Sequence, residues 1–448
     1  MLGSGIIIAL LGWAVFAPVV SQPWATVPML MAMGVYGGVA LLTLDKRGPI
    51  GRGLCLSFAS LCAAALIQLV PLPAGVVGLL SPTTAIHAEG LAAASAFRPL
   101  SIDPEATSVG LVCVLSLGLF FAGAMRHMTD GNARGVAGGL IGLGSIVAGV
   151  GIAESSRLWT GVYEVMGLPL PPDSTPLGPF SSKNHYVAWM LMTLALALGY
   201  LCDILEHRAS PRHTDEASSA EAGPQITRIA LVLSAVVAMA VSLVQTRSRA
   251  GILGLGLAVV TMSILLLRRS QTTRAGLLLA IPLLLLPLTG IAITGLQPIV
   301  SRFDTDSWST MHGRLPLWNQ ALVIARDFPI AGSGLNTYQR VVASYPMPGI
   351  DEPYEGAHND YLQLGAEGGF LIGIPALVTL AFFGRETRKR FHHSSEGGMT
   401  GWLRIGAVLG IVLVALQETV EFGLQVPANA ALFVVLAAIA AHHGSANS

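Results

Sequence analysis

Charge is scarce in this chain. Only 11% of its 448 residues are Asp, Glu, Lys or Arg, about half the share of a soluble globular domain. The 25 basic and 25 acidic residues cancel, so bulk charge offers nothing to a nucleic acid. Cysteine is nearly missing: Cys55, Cys62, Cys113 and Cys202 are the whole set. All four fall within or beside apolar runs and none lies in a large loop. That pattern argues against a disulfide framework or a metal site and leaves small packing residues. The N-terminus, Met1-Leu-Gly-Ser-Gly, has no basic n-region and no cleavage site follows it. The first apolar run therefore reads as a retained helix and not as a removed signal.

Apolar residues are abundant instead, at 53%, with a mean hydropathy of +0.66. A membrane-spanning helix needs about 20 mostly apolar residues. Twelve stretches qualify: 5–21, 24–44, 53–73, 107–125, 135–154, 184–204, 228–246, 250–267, 275–295, 359–384, 403–421 and 426–442. The expected fold is all-α and polytopic, one integral membrane domain over residues 1–448. Its connections differ in character. Lys46, Arg47, Arg52, Arg126, Arg134, Arg208, Arg212, Arg228, Arg268, Arg269, Arg274, Arg385, Arg388, Lys389, Arg390 and Arg404 lie on one side, which puts 16 of the 25 basic residues there. The positive-inside rule makes that side cytoplasmic, and an even helix count leaves both termini there. Residues 205–227, with 205–224 rich in Ser, Ala and Glu, are expected to be a flexible cytoplasmic loop.

The opposite side carries the long connections 74–106, 155–183 and 296–358. Long loops on a compact scaffold are functional or disordered. The last one contains Trp308, Trp318, Tyr338, Tyr345 and Tyr354, a content that argues against disorder. Leu315, Trp318, Leu322 and Ala325 have helical spacing, and the turn Pro329-Ile-Ala-Gly-Ser-Gly follows. One or two short helices are expected here, forming a lid.

At the end of this loop stands Ala357-His358-Asn359-Asp360-Tyr361-Leu362-Gln363-Leu364-Gly365-Ala366-Glu367-Gly368-Gly369. If a helix starts at His358, then His358, Tyr361, Leu362 and Gly365 share one face. An imidazole at that entrance suits general acid/base work; a capping or interfacial histidine is the plain alternative. The remaining nine basic residues lie on the outer side, against the bias: Arg98, Arg157, Lys183, Arg247, Arg249, Arg302, Arg314, Arg326 and Arg340. Arg247 and Arg249 sit in a tight turn, Gln245-Thr-Arg-Ser-Arg-Ala-Gly. Guanidinium forks match phosphate oxygens, whereas snorkelling to lipid headgroups would be the alternative. Arg314, in His312-Gly-Arg-Leu-Pro-Leu-Trp, is a further phosphate candidate or an ordinary loop salt bridge. Lys183 and Asn184 enter the sixth helix, where anions are favoured and Ser182 or Asn184 can cap. Glu367 falls inside the tenth helix, where a carboxyl is costly and either functional or hydrogen-bonded in close packing. Asp304-Thr-Asp306 has the look of a metal-binding Asp-x-Asp but lies on the wrong side for nucleotide sugars.

These segments together resemble the bacterial O-antigen ligase and O-antigen polymerase superfamily. The likeness is carried by His358-Asn-Asp-Tyr-Leu-Gln-Leu-Gly-Ala-Glu-Gly-Gly, Gly313-Arg-Leu-Pro-Leu-Trp, Phe328-Pro-Ile-Ala-Gly-Ser-Gly-Leu-Asn and Thr246-Arg-Ser-Arg-Ala-Gly. Gly178-Pro-Phe-Ser-Ser-Lys-Asn-His-Tyr is similar too, with Lys183 where arginine is common. So are Pro99-Leu-Ser-Ile-Asp-Pro-Glu-Ala-Thr and Glu421-Phe-Gly-Leu-Gln-Val-Pro-Ala-Asn-Ala. The resemblance implies a multi-pass transferase of the bacterial inner membrane with a periplasmic active site. It would move a glycan from undecaprenyl pyrophosphate to an acceptor hydroxyl, with no cofactor and no metal. Arg247, Arg249 and Arg314 would bind pyrophosphate and His358 would act as base. Lys183, Asn184, Asn359, Tyr361 and Glu367 are secondary candidates. The acceptor would be lipid A–core for a ligase, or another carrier-linked repeat for a polymerase of O-antigen or exopolysaccharide. A transporter or flippase is a reading of a different class, and predicts internal repeats and ionisable groups deep in several helices; only Glu367 and Glu418 answer to that description.

Overall fold

The computed structural model describes residues 2–16, 23–44, 51–84, 96–167, 175–209, 219–269, 273–301, 303, 309–346, 356–393 and 401–442. Three helices open the chain: α1 (Leu2–Phe16), α2 (Pro23–Thr43) and α3 (Arg52–Ile67). A short antiparallel ladder, β1 (Leu72–Pro73) with β2 (Phe97–Arg98), encloses α4 (Ala74–Leu80). Then come α5 (Pro104–His127), α6 (Asp130–Ser155), α7 (Val162–Val165), α8 (Lys183–Ala209), α9 (Ser219–Gln245), α10 (Arg249–Arg269) and α11 (Thr273–Thr294). The long connection holds α12 (Gln297–Val300), α13 (Ser309–Asp327) and α14 (Tyr338–Val342). Last are α15 (Asp360–His393), α16 (Gly401–Gln417), a 3-10 turn (Gly423–Gln425) and α17 (Pro427–Ala441).

Each of the twelve apolar stretches falls on a helix, in order. Among the described residues, seven helices are long and apolar enough to cross a membrane, and five are shorter apolar helices. Boundaries differ where a local residue dictates it. The third stretch was expected to run to residue 73, but α3 stops at Ile67, because Pro71 and Pro73 cannot continue a helix. Residues 219–227, expected in a loop, are the first turns of α9 despite Pro224 within them. Asp304 and Asp306 lie outside the described residues.

α8 is apolar on every side and 94% of its window is buried, so it is the central helix of the bundle. α16 crosses it closely: a Cβ on Gly199 would meet the Trp402 carbonyl at 2.5 Å and Gly406 Cα at 2.9 Å. Small residues let two helix backbones approach where apolar burial alone gives no preference for protein over lipid. None of the four cysteines forms a disulfide among the described residues.

The long connection is fixed to the bundle at one junction. α15 is broken at Gly369, whose φ of 53° and ψ of −155° lie outside the helical range. The break frees the backbone on both sides. Phe370 N–H donates to the Pro329 carbonyl (2.9 Å) and Leu371 N–H to that of Ile330 (2.8 Å). In return, Ser333 N–H donates to the Ala366 carbonyl (2.9 Å) and Gly334 N–H to that of Glu367 (3.0 Å). Buried Gln68, just beyond α3, donates to the carbonyls of Ala331 (2.6 Å) and Glu367 (2.9 Å) and accepts from Leu335 N–H (2.9 Å). The Glu367 carboxylate accepts the N–H groups of Asn336 (2.8 Å) and Tyr338 (2.9 Å). These backbone groups beside the helix break thus find partners on the connection and on Gln68.

Candidate functional site

His358 does not sit on the helix. α15 begins at Asp360 because Asn359 caps it: Tyr361 and Leu362 N–H donate to Asn359 Oδ1 at 3.1 and 3.0 Å. His358 precedes the cap in the left-handed region, with φ 47°. The expected shared face with Tyr361 and Gly365 is therefore not formed. The turn instead directs the imidazole towards the link between α16 and α17. Its Nδ1 lies 3.4 Å from Glu421 Oε2. Its ring packs edge-on against Phe422, with centroids 4.8 Å apart. Trp318 of α13 donates its indole N–H to the His358 carbonyl (3.3 Å), which ties this turn to the long connection.

Glu421 is the hub of the site and is 3% exposed. Its Oε1 accepts from the Arg314 guanidinium, brought in by α13. The same oxygen accepts from Asn184 Nδ2 at 2.6 Å. Asn184 belongs to the first turn of α8, where Ser182 caps through Oγ (3.3 Å to Asn184 N–H). Asn184 Oδ1 in turn accepts from Ser248 Oγ at 3.2 Å. Ser248 stands between Arg247 and Arg249 in the tight turn expected from the sequence. Arg247 is exposed and has φ 51°. The chain Ser248–Asn184–Glu421–His358 therefore connects the arginine turn to the histidine, and Arg314 joins it at the carboxylate.

Of the residues singled out from sequence, His358, Arg314 and Asn184 converge on Glu421. Arg247 and Arg249 flank the first link of that chain, and Lys183 precedes Asn184. Asn359 acts as helix cap and donates to the Thr419 carbonyl (2.8 Å). Tyr361 turns away, its hydroxyl donating to the Ala415 carbonyl (2.8 Å). Glu367 faces the connection and not the histidine. Glu421 and Phe422 were seen only as part of a familiar segment. A carboxylate at the end of an apolar helix was the available signal, because a charge there needs a partner.

Two further carboxyl groups border the hub. Asp360 N–H donates to the carbonyls of Glu418 (3.1 Å) and Glu421 (3.2 Å), so α15 starts against this link. Burial first, then the Asp360 carboxylate beside it, pushes the Glu418 carboxyl well above the usual carboxylate range. Next to these groups opens a cavity of about 540 Å³, whose lining includes Asp103, Glu105, Asn336, Gln363, Glu367 and Gln425. Gln363 accepts from Ala357 N–H at 3.1 Å, so the cavity shares a wall with the histidine turn.

Residues 234–377 match the family model described as O-antigen ligase. The match supports the O-antigen ligase and polymerase superfamily that the sequence resembles. The matched stretch holds Arg247, Arg249, Arg314 and His358, whereas Asn184 and Glu421 lie outside it. Comparison with curated proteins finds no match. The match supports an O-antigen ligase or polymerase type of function.

Proposed function

We propose that the chain is an O-antigen ligase, moving a glycan from undecaprenyl pyrophosphate to a hydroxyl of a lipid A–core acceptor on the periplasmic face of the inner membrane. The observation that carries this reading is the convergence of His358 and Arg314 on Glu421, with the Arg247–Arg249 turn joined to them through Ser248 and Asn184. With its proton on Nδ1 facing Glu421, His358 would take a proton on Nε2. The acceptor hydroxyl gives its proton to Nε2 while its oxygen bonds to the anomeric carbon of the donor. The bond from that carbon to the phosphate oxygen breaks, and the electron pair leaves with undecaprenyl pyrophosphate. Arg247, Arg249 and Arg314 stabilise the growing negative charge, which guanidinium forks do well in a site shielded from water. Attack opposite the leaving phosphate inverts the anomeric centre. The 540 Å³ cavity suits the sugar side of this reaction: its amides, its carboxylates and Arg340 match hydroxyl groups. The family description, O-antigen ligase, favours transfer over the transporter reading.

Donor binding tests the arginine roles. Alanine at Arg247, Arg249 or Arg314 should each weaken binding of undecaprenyl pyrophosphate to the purified protein by about tenfold, as expected for losing a charged hydrogen bond of roughly 1.5 kcal/mol. Unchanged affinity in all three variants would return these residues to lipid-headgroup contacts and remove the proposed donor site.

The facing of the site is tested separately. In a cysteine-free background, single cysteines at Gln339 and at Arg268 should react with an impermeant thiol reagent from opposite sides of the membrane. Labelling of both from one side would overturn the proposed topology, in which both termini are cytoplasmic and residues 296–358 are periplasmic.

A further inference from the structure

We propose that Glu421 is a positioning residue that competes with the donor: it holds Arg314 while the site is empty, and when pyrophosphate takes Arg314 it is left to orient His358. The inference rests on the donor and base roles proposed above. It starts from an imbalance on one carboxylate. Oε1 is engaged by Arg314 and, at 2.6 Å, by Asn184. Oε2 faces His358 Nδ1 at 3.4 Å, too long for a strong charge-assisted hydrogen bond. The two oxygens serve different partners, and the imidazole is held more loosely than the guanidinium. A pyrophosphate offers Arg314 several oxygens in the geometry a guanidinium prefers. Once Arg314 turns to it, Glu421 still needs a partner, because an unpaired buried charge is costly. Asn184 stays on Oε1 as a neutral donor, and His358 is the imidazole that faces Oε2.

Two neighbouring acids have partners of their own. Asp360 Oδ1 accepts from Gln425 Nε2 at 2.6 Å. Glu418 Oε2 accepts from Gly423 N–H. His185 packs on Phe422 at a centroid distance of 5.0 Å, the same ring that His358 packs against. Glu421 is thus the carboxylate set against the His358 imidazole, and it shares one oxygen between the first turn of α8 and the long connection. The arrangement makes orientation of the base conditional on a donor being present.

This role has a signature that a packing role lacks: removing the charge should improve binding while harming turnover. The test uses the purified full-length protein with undecaprenyl pyrophosphate in detergent micelles for binding. Turnover is measured in proteoliposomes supplied with glycan-linked carrier and acceptor extracted from native membranes. Glu421→Gln should bind the carrier at least threefold more tightly and lower kcat at least tenfold. In an Arg314→Ala background the same change should no longer tighten binding. In a His358→Ala background it should cost no further turnover, because residues acting through one another are not additive. Glu421→Asp keeps the charge and withdraws it by one methylene. It should shift both quantities in the same directions by less, and covers the case that the neutral side chain prevents folding. Unchanged or weaker carrier binding in a folded variant overturns the competition, and unchanged kcat overturns the orientation of the base. His358→Ala run alongside separates the two levels. Normal turnover there would end the base reading itself, whereas loss of turnover there with normal Glu421 variants would end this inference alone.

Discussion

His358→Ala should insert and fold like the natural protein, bind the lipid-linked donor, and transfer glycan about 10²–10⁴-fold more slowly. The expectation of normal folding comes from what the side chain touches. It meets one face of Phe422 and one distant carboxylate oxygen. The contacts that set the turn belong to its backbone and to Asn359, which both caps α15 and donates to Thr419. Removing the ring leaves those in place, so the stability cost should stay near the ordinary 1 kcal/mol of a point change. The loss of rate follows from the proposed role of Nε2, taking the acceptor proton. His358→Gln separates the two parts of that role, since an amide can hold a hydroxyl but cannot carry its proton away. Turnover of His358→Gln near the natural level would leave positioning and remove base catalysis. Turnover of His358→Ala near the natural level would remove the site altogether. In either case donor binding, measured on the same preparations, guards against mistaking a collapsed site for a chemical defect.

The helices were legible in the sequence because apolar length is a one-dimensional property. A run such as Tyr186–Leu201 in α8 names its environment without reference to any neighbour. The arginine turn and the histidine were legible for a related reason: charges on the outer side, and a polar residue where loop meets helix, stand out against apolar surroundings. What could not be read was which of them face one another. Asn184 looked like a cap; Ser182 performs that task, which frees the Asn184 amide to bridge Ser248 and Glu421. Glu421 and Arg314 are 107 residues apart, and only the packing of α8, α13 and the α16–α17 link brings them together. Tyr361 has the right spacing from His358 for a shared helix face, but the left-handed backbone at position 358 places the two residues on different surfaces. Glu367 shows the opposite error of emphasis. Sequence marks it as a costly acid inside a helix, and its cost is met by two backbone N–H groups of the long connection. Counting basic residues has a similar limit. Arg404, assigned to the cytoplasmic side, is 1% exposed and donates to the His442 carbonyl at 3.0 Å, so part of that charge serves packing.

Gly369→Ala should be among the most damaging single substitutions in the chain, and its damage should differ in kind from that of His358→Ala. Gly369 has φ 53° and ψ −155°, a region that L-residues enter at a cost of about 1–3 kcal/mol. Space is lacking as well. A Cβ there would lie 2.7 Å from both Gly332 N and the Pro329 carbonyl oxygen, and 2.8 Å from that of Ile330. These are backbone atoms of the turn that fixes the long connection, so no side chain can move aside to relieve the contact. Opening the junction would strand the N–H and carbonyl groups paired across it, each worth roughly 1–3 kcal/mol when buried without a partner. It would also loosen α13, and with α13 the hold of Arg314 on Glu421. The expected result is a lower unfolding temperature in detergent, weaker donor binding and little transfer, all together. Glu367→Ala should follow it to a smaller degree, because it removes the acceptor for Asn336 and Tyr338 N–H but leaves the backbone pairs across the break. A Gly369→Ala protein that unfolds at the natural temperature would show that the break in α15 does not fasten the connection. The arginine on α13 would then need another explanation for its place beside Glu421.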